Sequence, residues 1–361
     1  MHTQQAAELA ARQFVRGEEI LAVAAYGSGH INDTFSVRFL KGGQQARFIL
    51  QRINTGIFKD TAALMENIQR VTAHLAQQLA DDPDRDRRVL ALIPTRDGRS
   101  WHRDAEGHDW RAYQFIEGAK TCDRVESSAQ AYQAAKAFGL FQRRLADLPA
   151  PRLNDTIPDF HNTPKRFKAF EQALDADAAN RAALAGPEIE FAFARQPIAD
   201  VLLNAGLPER VTHNDTKFNN VLFDDMSGKG ICVLDLDTVM PGLSLYDFGD
   251  MVRTATCTAD EDERDLAKVR MEFQLFEALS RGYLTETRSF LTKAEVGNLV
   301  FAGKLITFEQ GIRFLADYLN GDAYYKVQRE RQNLDRCRTQ FKLIESMEQQ
   351  EEKMAQLVTE I

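Results

Sequence analysis

Several absences narrow the reading of this 361-residue chain before any motif is considered. It has no C-x-x-C pair, and its four cysteines, Cys122, Cys232, Cys257 and Cys337, are widely scattered. That excludes a disulfide framework or a cysteine zinc site and leads us to expect reduced thiols in a cytoplasmic setting. No uninterrupted apolar run approaches the roughly 18 residues that a membrane span requires, so no membrane partner is expected. The start, Met1-His-Thr-Gln-Gln, lacks a basic region leading into an apolar core, and no signal peptide is expected. Positive charge is in deficit: 45 Lys and Arg against 53 Asp and Glu leave a net charge of −8. Nucleic acid as the main partner is thereby disfavoured, because phosphate backbones need concentrated Lys and Arg. The G-x-x-x-x-G-K-[ST] phosphate loop is missing, as are internal repeats and low-complexity segments.

What remains is an ordinary globular composition, 44% hydrophobic and 27% charged. The length suits two lobes around a shared cleft better than one core. Residues 3–16 read as a short amphipathic helix, followed by strand-like pieces at Ile20–Tyr26, Thr34–Phe39 and Arg47–Gln51. A long helix is expected from Asp60 to about Leu79, with Leu64, Ile68, Val71 and Leu75 on one stripe. A charged loop follows at 81–88, then strands near Trp101 and at Trp110–Phe115. From Ser127 onward the pattern is mainly helical, broken by 211–238. Helices are expected at Ser128–Leu145, Asp262–Tyr283 and roughly Leu334–Leu357. The expectation is an α+β two-lobe fold. Residues 1–117 would form a small antiparallel-sheet lobe, and 118–361 a larger, mainly helical lobe.

The interruption carries the chemistry. His213 to Asn220 reads H-N-D-T-K-F-N-N, and twenty residues after Asp215 an apolar strand, Ile231 to Leu234, ends in Asp235. Phosphoryl transfer from ATP needs a carboxylate to accept or orient the nucleophile's proton, and an Asn and an Asp to hold the magnesium. Asp215 is the candidate base, and Asn220 and Asp235 the candidate metal ligands, with Asp237 a further one. Asp and Asn are also common in turns, but three correct residue types at two correct spacings favour the catalytic reading. A later D-F-G, starting at Asp247, sits too far from Asp215, so Asp247 is expected to brace the loop instead.

An ATP cleft would lie upstream. Gly27, Ser28 and Gly29 sit between two strands, where glycines let backbone N–H groups approach phosphates, although the third glycine of the usual motif is missing. The third strand carries Gln51 where a kinase usually has Lys, with Arg52 on the opposite face. Either Gln51 is a neutral donor or the positive charge comes from elsewhere in the cleft. Phe115 and Glu117, in the link between lobes, complete the expected nucleotide contacts. A substrate region is expected at 308–325, where Glu309, Arg313 and Asp317 recur every four residues among Phe314, Tyr318, Tyr324 and Tyr325. An exposed ion-pair ladder would give the same spacing.

Through the segments 26–32, 48–54, 210–220, 235–242, 247–250 and 311–319, the chain resembles the aminoglycoside phosphotransferase-like kinases, most closely the N-acetylhexosamine 1-kinases among them. The resemblance implies a protein-kinase-like fold and ATP- and magnesium-dependent phosphorylation of the anomeric hydroxyl of GlcNAc or GalNAc. It implies that Arg313, Tyr324 and His30 contact the sugar, and that the third-strand Lys is dispensable. Other small alcohols or amino alcohols, of choline, homoserine or aminoglycoside type, and an inactive nucleotide-binding module remain as alternatives. Both tryptophans, Trp101 and Trp110, fall in the first lobe, so a Trp cage for a quaternary ammonium is not available in the second.

Overall fold

The computed structural model describes residues 3–27 and 31–361. After helix α1 (Thr3–Ala11), the chain builds β1 (Ile20–Ala25), β2 (Asp33–Lys41) and β3 (Gln44–Ile53), then α2 (Thr61–Gln78) and α3 (Arg85–Arg88). Strands β4 (Leu92–Ile93), β5 (His102–Arg103) and β6 (Asp109–Gln114) complete an antiparallel sheet in the order β1-β2-β3-β6-β4, with β5 on β6. Gly42 and Gly43, both at positive φ, close the tight β2–β3 hairpin. That hairpin sets a register in which β3 and β6 pair Gln51 with Arg111.

One face of the sheet is covered by α1. Ala7, Ala10, Phe14 and Val15 pack on Val37, Phe48, Leu50 and Trp110 in a core of their own. The helix stops at Ala11, short of the expected Val15–Arg16, because Arg96 captures the following turn: its N–H donates to Gln13 O and its Nε to Val15 O.

The helical part contains β7 (Ala119–Lys120), α4 (Ser128–Leu145), α5 (Thr163–Ala176), α6 (Gly186–Arg195), α7 (Val201–Asn204), β8 (Arg210–Thr212), β9 (Val221–Asp224), β10 (Gly230–Val233) and β11 (Met240–Gly242). It ends with α8 (Ser244–Ala255), α9 (Phe273–Thr287), α10 (Lys293–Gly297), α11 (Leu299–Leu319), α12 (Gln332–Gln349) and α13 (Glu351–Glu360). Its core also takes in the apolar stripe of α2, whose Leu64, Ile68, Val71 and Leu75 pack with residues of α4, α8 and α9. Helices α4 and α9 lie close because both carry glycine at the contact. A Cβ on Gly282 would stand 2.2 Å from Tyr132 O, and one on Gly139 2.9 Å from Tyr283 O.

Three further expected elements differ. The charged loop 81–88 contains the short helix α3, whose Arg87 donates to the carbonyls of Glu117 and Gly118 and pairs with Asp224 on β9 at 2.7 Å. The helix expected from Asp262 begins only at Phe273, because 257–272 folds back to bridge Cys257 with Met271. The expected final helix is two: the Gln350 side chain turns to bond Met271 O at 3.0 Å, and α12 stops there. Among the described residues no helix is long and apolar enough to cross a membrane.

Candidate active site

Two small strand pairs aim the candidate residues at one another. β8 pairs with β11 and β9 with β10, so the loops 213–220 and 234–239 emerge side by side, joined by Leu234 N to Asn220 O at 2.8 Å. His213 ties them a second time: its Nε2 lies 2.7 Å from Leu234 O, and its Nδ1 accepts from Asp215 N at 3.3 Å. The ring is wedged edge-on between Phe138 and Phe141.

Asp247 works from beneath. Its two oxygens accept from His213 N at 2.9 Å, Asn214 N at 2.7 Å and Gln142 Nε2 at 2.6 Å, which is the bracing role expected of it. Tyr283 donates to Gln142 Oε1 at 2.6 Å and so fixes the direction of that amide. Burial pushes the Asp247 carboxyl up, only partly offset by these donors. Two non-glycine residues at the site, Asn214 (φ 65°) and Asp235 (φ 55°), adopt the left-handed conformation that Asn and Asp tolerate better than bulkier residues.

Asp215 is half-buried beside Lys217, whose Nζ lies 3.1 Å from its Oδ2. Burial pushes the Asp215 carboxyl up, but Lys217 and His213 outweigh it and hold it below its ordinary value. The same carboxylate raises Lys217. Asn220 donates its amide to Asp215 O at 2.8 Å, leaving Oδ1 free to ligate. Asp235 is pushed up to about 6 by burial and by the carboxylates of Asp237 and Asp215. A divalent cation would relieve that repulsion, in competition with a proton. Among the described residues no group of three or more His, Cys, Asp or Glu could hold a metal alone. Asn220 and Asp235 are donors of the kind and number that a magnesium ion arriving with phosphates would need, one or two protein ligands. Asp237 does not join it. Its Oδ1 faces Arg111 at 2.5 Å and its Oδ2 accepts from Asn32 at 2.7 Å, so it binds the sheet to the helical part instead.

The cleft between sheet and helices is lined by Tyr26, Gly27, Gln51, Phe115, Asn220 and Asp235, among others. Ser28, Gly29 and His30 lie outside the described residues. Glu117 is not in the lining; it turns outward to pair with Arg47 at 2.6 Å, which itself lies over the Phe115 ring. Arg52 pairs with Asp33 on the sheet surface.

Around 308–325 there is no ion-pair ladder. Glu309 accepts from Thr163 at 2.7 Å and meets His161 Nδ1 at 2.8 Å, while His161 Nε2 lies 3.2 Å from Asn214 O. Asp317 accepts from the backbone N–H groups of Tyr324 and Tyr325 and from Asn333. Arg313 has no carboxylate within 4 Å among the described residues. Its guanidinium lies over the Phe160 ring at 5.5 Å and the Tyr325 ring at 5.9 Å, with one hydrogen bond to Gln310. Arg166 is half-buried nearby, held below the ordinary guanidinium range by desolvation and then by Arg313. Tyr324 is largely exposed and packs edge-on against Tyr325. Sequence reasoning missed Lys217, although it stands two residues from the candidate base. It also missed Arg111, Arg166 and His161, which only the folded chain brings to the site.

The profile of the phosphotransferase enzyme family matches residues 22–283. An aminoglycoside phosphotransferase from Alicyclobacillus acidocaldarius is 12% identical with a TM-score of 0.62, over 98% of this chain and 96% of that one. Spectinomycin phosphotransferase, solved with ADP and spectinomycin, is 13% identical with a TM-score of 0.59, over 97% and 99%. Plasmodium vivax ethanolamine kinase is 13% identical with a TM-score of 0.56, over 93% and 85%. At these identities the likeness speaks for the fold, which is protein-kinase-like, a sheet region followed by a helical one.

Proposed function

Because the chain belongs to the phosphotransferase enzyme family, we propose that it transfers the γ-phosphoryl group of ATP to the anomeric 1-hydroxyl of an N-acetylhexosamine. Asp215 accepts the hydroxyl proton. Lys217 holds that carboxylate ionised and adds positive charge beside the reacting groups. Asn220 and Asp235 would hold a magnesium ion, which neutralises phosphate charge when bound. His213 and Asp247 keep the loop in place while the proton moves.

The observation that carries the choice of acceptor is the state of Arg313. Among the described residues it is a guanidinium with no carboxylate within 4 Å, flanked by Phe160 and Tyr325, and acted on at longer range by Glu309 as well as by Arg166 and Arg253. The two acids that flank it on the same helix are already engaged, Glu309 with His161 and Asp317 with backbone N–H groups. Ethanolamine and aminoglycosides are cationic and would meet repulsion here. A neutral sugar needs an aromatic surface and a few fixed donors, and an acetamido carbonyl suits an unpaired guanidinium.

Incubation with GlcNAc or GalNAc, ATP and magnesium is expected to give a product whose phosphorus is coupled to the anomeric proton. Coupling to two C6 protons would refute the proposed orientation, and turnover of amines but not sugars would refute the acceptor class. Arg313→Ala is expected to raise the sugar KM at least about tenfold while the ATP KM stays nearly unchanged.

A further inference from the structure

We propose that Gln51 and Arg111 together replace the lysine that a kinase usually places on the third strand: Gln51 donates to the nucleotide phosphates, and Arg111 orients that amide and supplies the positive charge. The inference rests on the reading of this cleft as an ATP site. It begins with register. β3 and β6 are antiparallel neighbours, and Gln51 and Arg111 stand directly opposite. In an antiparallel pair, opposite residues project from the same face, and both side chains line the cleft together with Ile49, Asn220 and Asp235.

Arg111 Nε and Nη2 donate to Gln51 Oε1 at 3.0 and 2.8 Å. A guanidinium offers only donors, so the Gln51 atom facing it has to be the carbonyl oxygen. The amide NH₂ is thereby turned the other way. One of its hydrogens goes to Thr34 Oγ1 at 3.1 Å, which leaves the second for a ligand in the cleft. A glutamine without this neighbour would present oxygen or nitrogen to a phosphate with equal ease. Here only the donor is offered.

Arg111 is buried with 1% of its side chain exposed, and Asp237 with 3%. Their facing atoms stand 2.5 Å apart, yet neither Arg111 Nη1 nor Asp237 Oδ1 completes an aligned hydrogen bond. The cation is thus anchored by charge, with donor capacity to spare on the cleft floor beside Asp235. In protein kinases the third-strand Lys is likewise held by a carboxylate from another element. Arg111 and Asp237 form such a pair one strand over, with the carboxylate supplied by the segment that follows Asp235. Arg111 acts on the nucleotide through Gln51 and through its field, and is a positioning residue. Gln51 makes the contact.

Gln51→Glu tests this without endangering the fold, because the new carboxylate would pair with Arg111. It removes the donor and sets a second carboxylate beside a cation already paired with Asp237, and is expected to weaken ADP binding, measured by calorimetry without sugar, by at least about tenfold. Its melting temperature should be no lower than that of the wild type. Gln51→Met should weaken ADP in the same direction. Arg111→Lys, a point charge that cannot grip Oε1 with two donors, should raise the ATP KM several-fold while kcat and the sugar KM change little. Wild-type affinity for ADP in Gln51→Glu would overturn the inference. Failure of the wild type itself to bind ADP would overturn instead the ATP-site reading beneath it.

Discussion

Asp215→Asn will lower kcat by about 10²- to 10⁴-fold, the usual worth of a positioned base, and leave calorimetric ADP binding nearly unchanged. The amide has the size and shape of the carboxylate but cannot take the hydroxyl proton. It also loses the charge that pairs with Lys217 at 3.1 Å. The loop itself should hold, because its support comes from elsewhere: Asp247 grips two of its N–H groups, and Asn220 donates to the Asp215 carbonyl, which the substitution keeps. A variant retaining more than a tenth of the wild-type kcat would remove Asp215 from the role of base.

Asp247→Ala will damage the protein in a different way. His213 N, Asn214 N and the Gln142 amide all donate to this carboxylate, and Asp247 is fully buried. Each buried donor left without a partner costs about 1–3 kcal/mol. Removing the buried charge offsets part of this, since burial already pushes the carboxyl up. A net loss of at least about 2 kcal/mol in denaturant unfolding is expected. Asp235→Ala removes a carboxyl that burial and two neighbouring carboxylates push up to about 6; beyond a backbone cost of about 1 kcal/mol for alanine at φ 55°, its main effect should be to weaken magnesium-dependent ATP use. At equal folded fraction the magnesium titration should therefore be more disturbed by Asp235→Ala than by Asp247→Ala. The reverse order would place the metal at the D-F-G segment.

The site was legible in the sequence to the extent that it is local. Asp215, Asn220 and Asp235 lie within 21 residues, and their spacing follows from a loop and a strand pair. The helix Ser128–Leu145 has the expected bounds because Ser127 caps it through Gln130 N and its apolar stripe is regular. The partner of Gln51 was not legible, since it depends on the register of two strands 60 residues apart. Nor was the state of Arg313. Periodicity places Glu309 and Asp317 within reach of it, and only the fold shows that His161 and two backbone N–H groups already engage them. The helix break at Gln350 depends on a carbonyl at Met271, which no local pattern announces.

The charged stretch 81–88 has a mechanical consequence. Arg87 grips the carbonyls of Glu117 and Gly118, between β6 and β7, and, with the same guanidinium, Asp224 on β9. On the other side of the cleft, Asp237 is gripped by Arg111 and Asn32. A joint fastened on both sides has little freedom to swing, so ligands would enter a gap of nearly constant width. Small-angle scattering profiles recorded with and without ADP should superimpose. A marked contraction on adding ADP would mean that one fastening opens in solution. Arg87→Ala, which releases the Glu117–Gly118 side alone, should then make the protein without ligand measurably more extended.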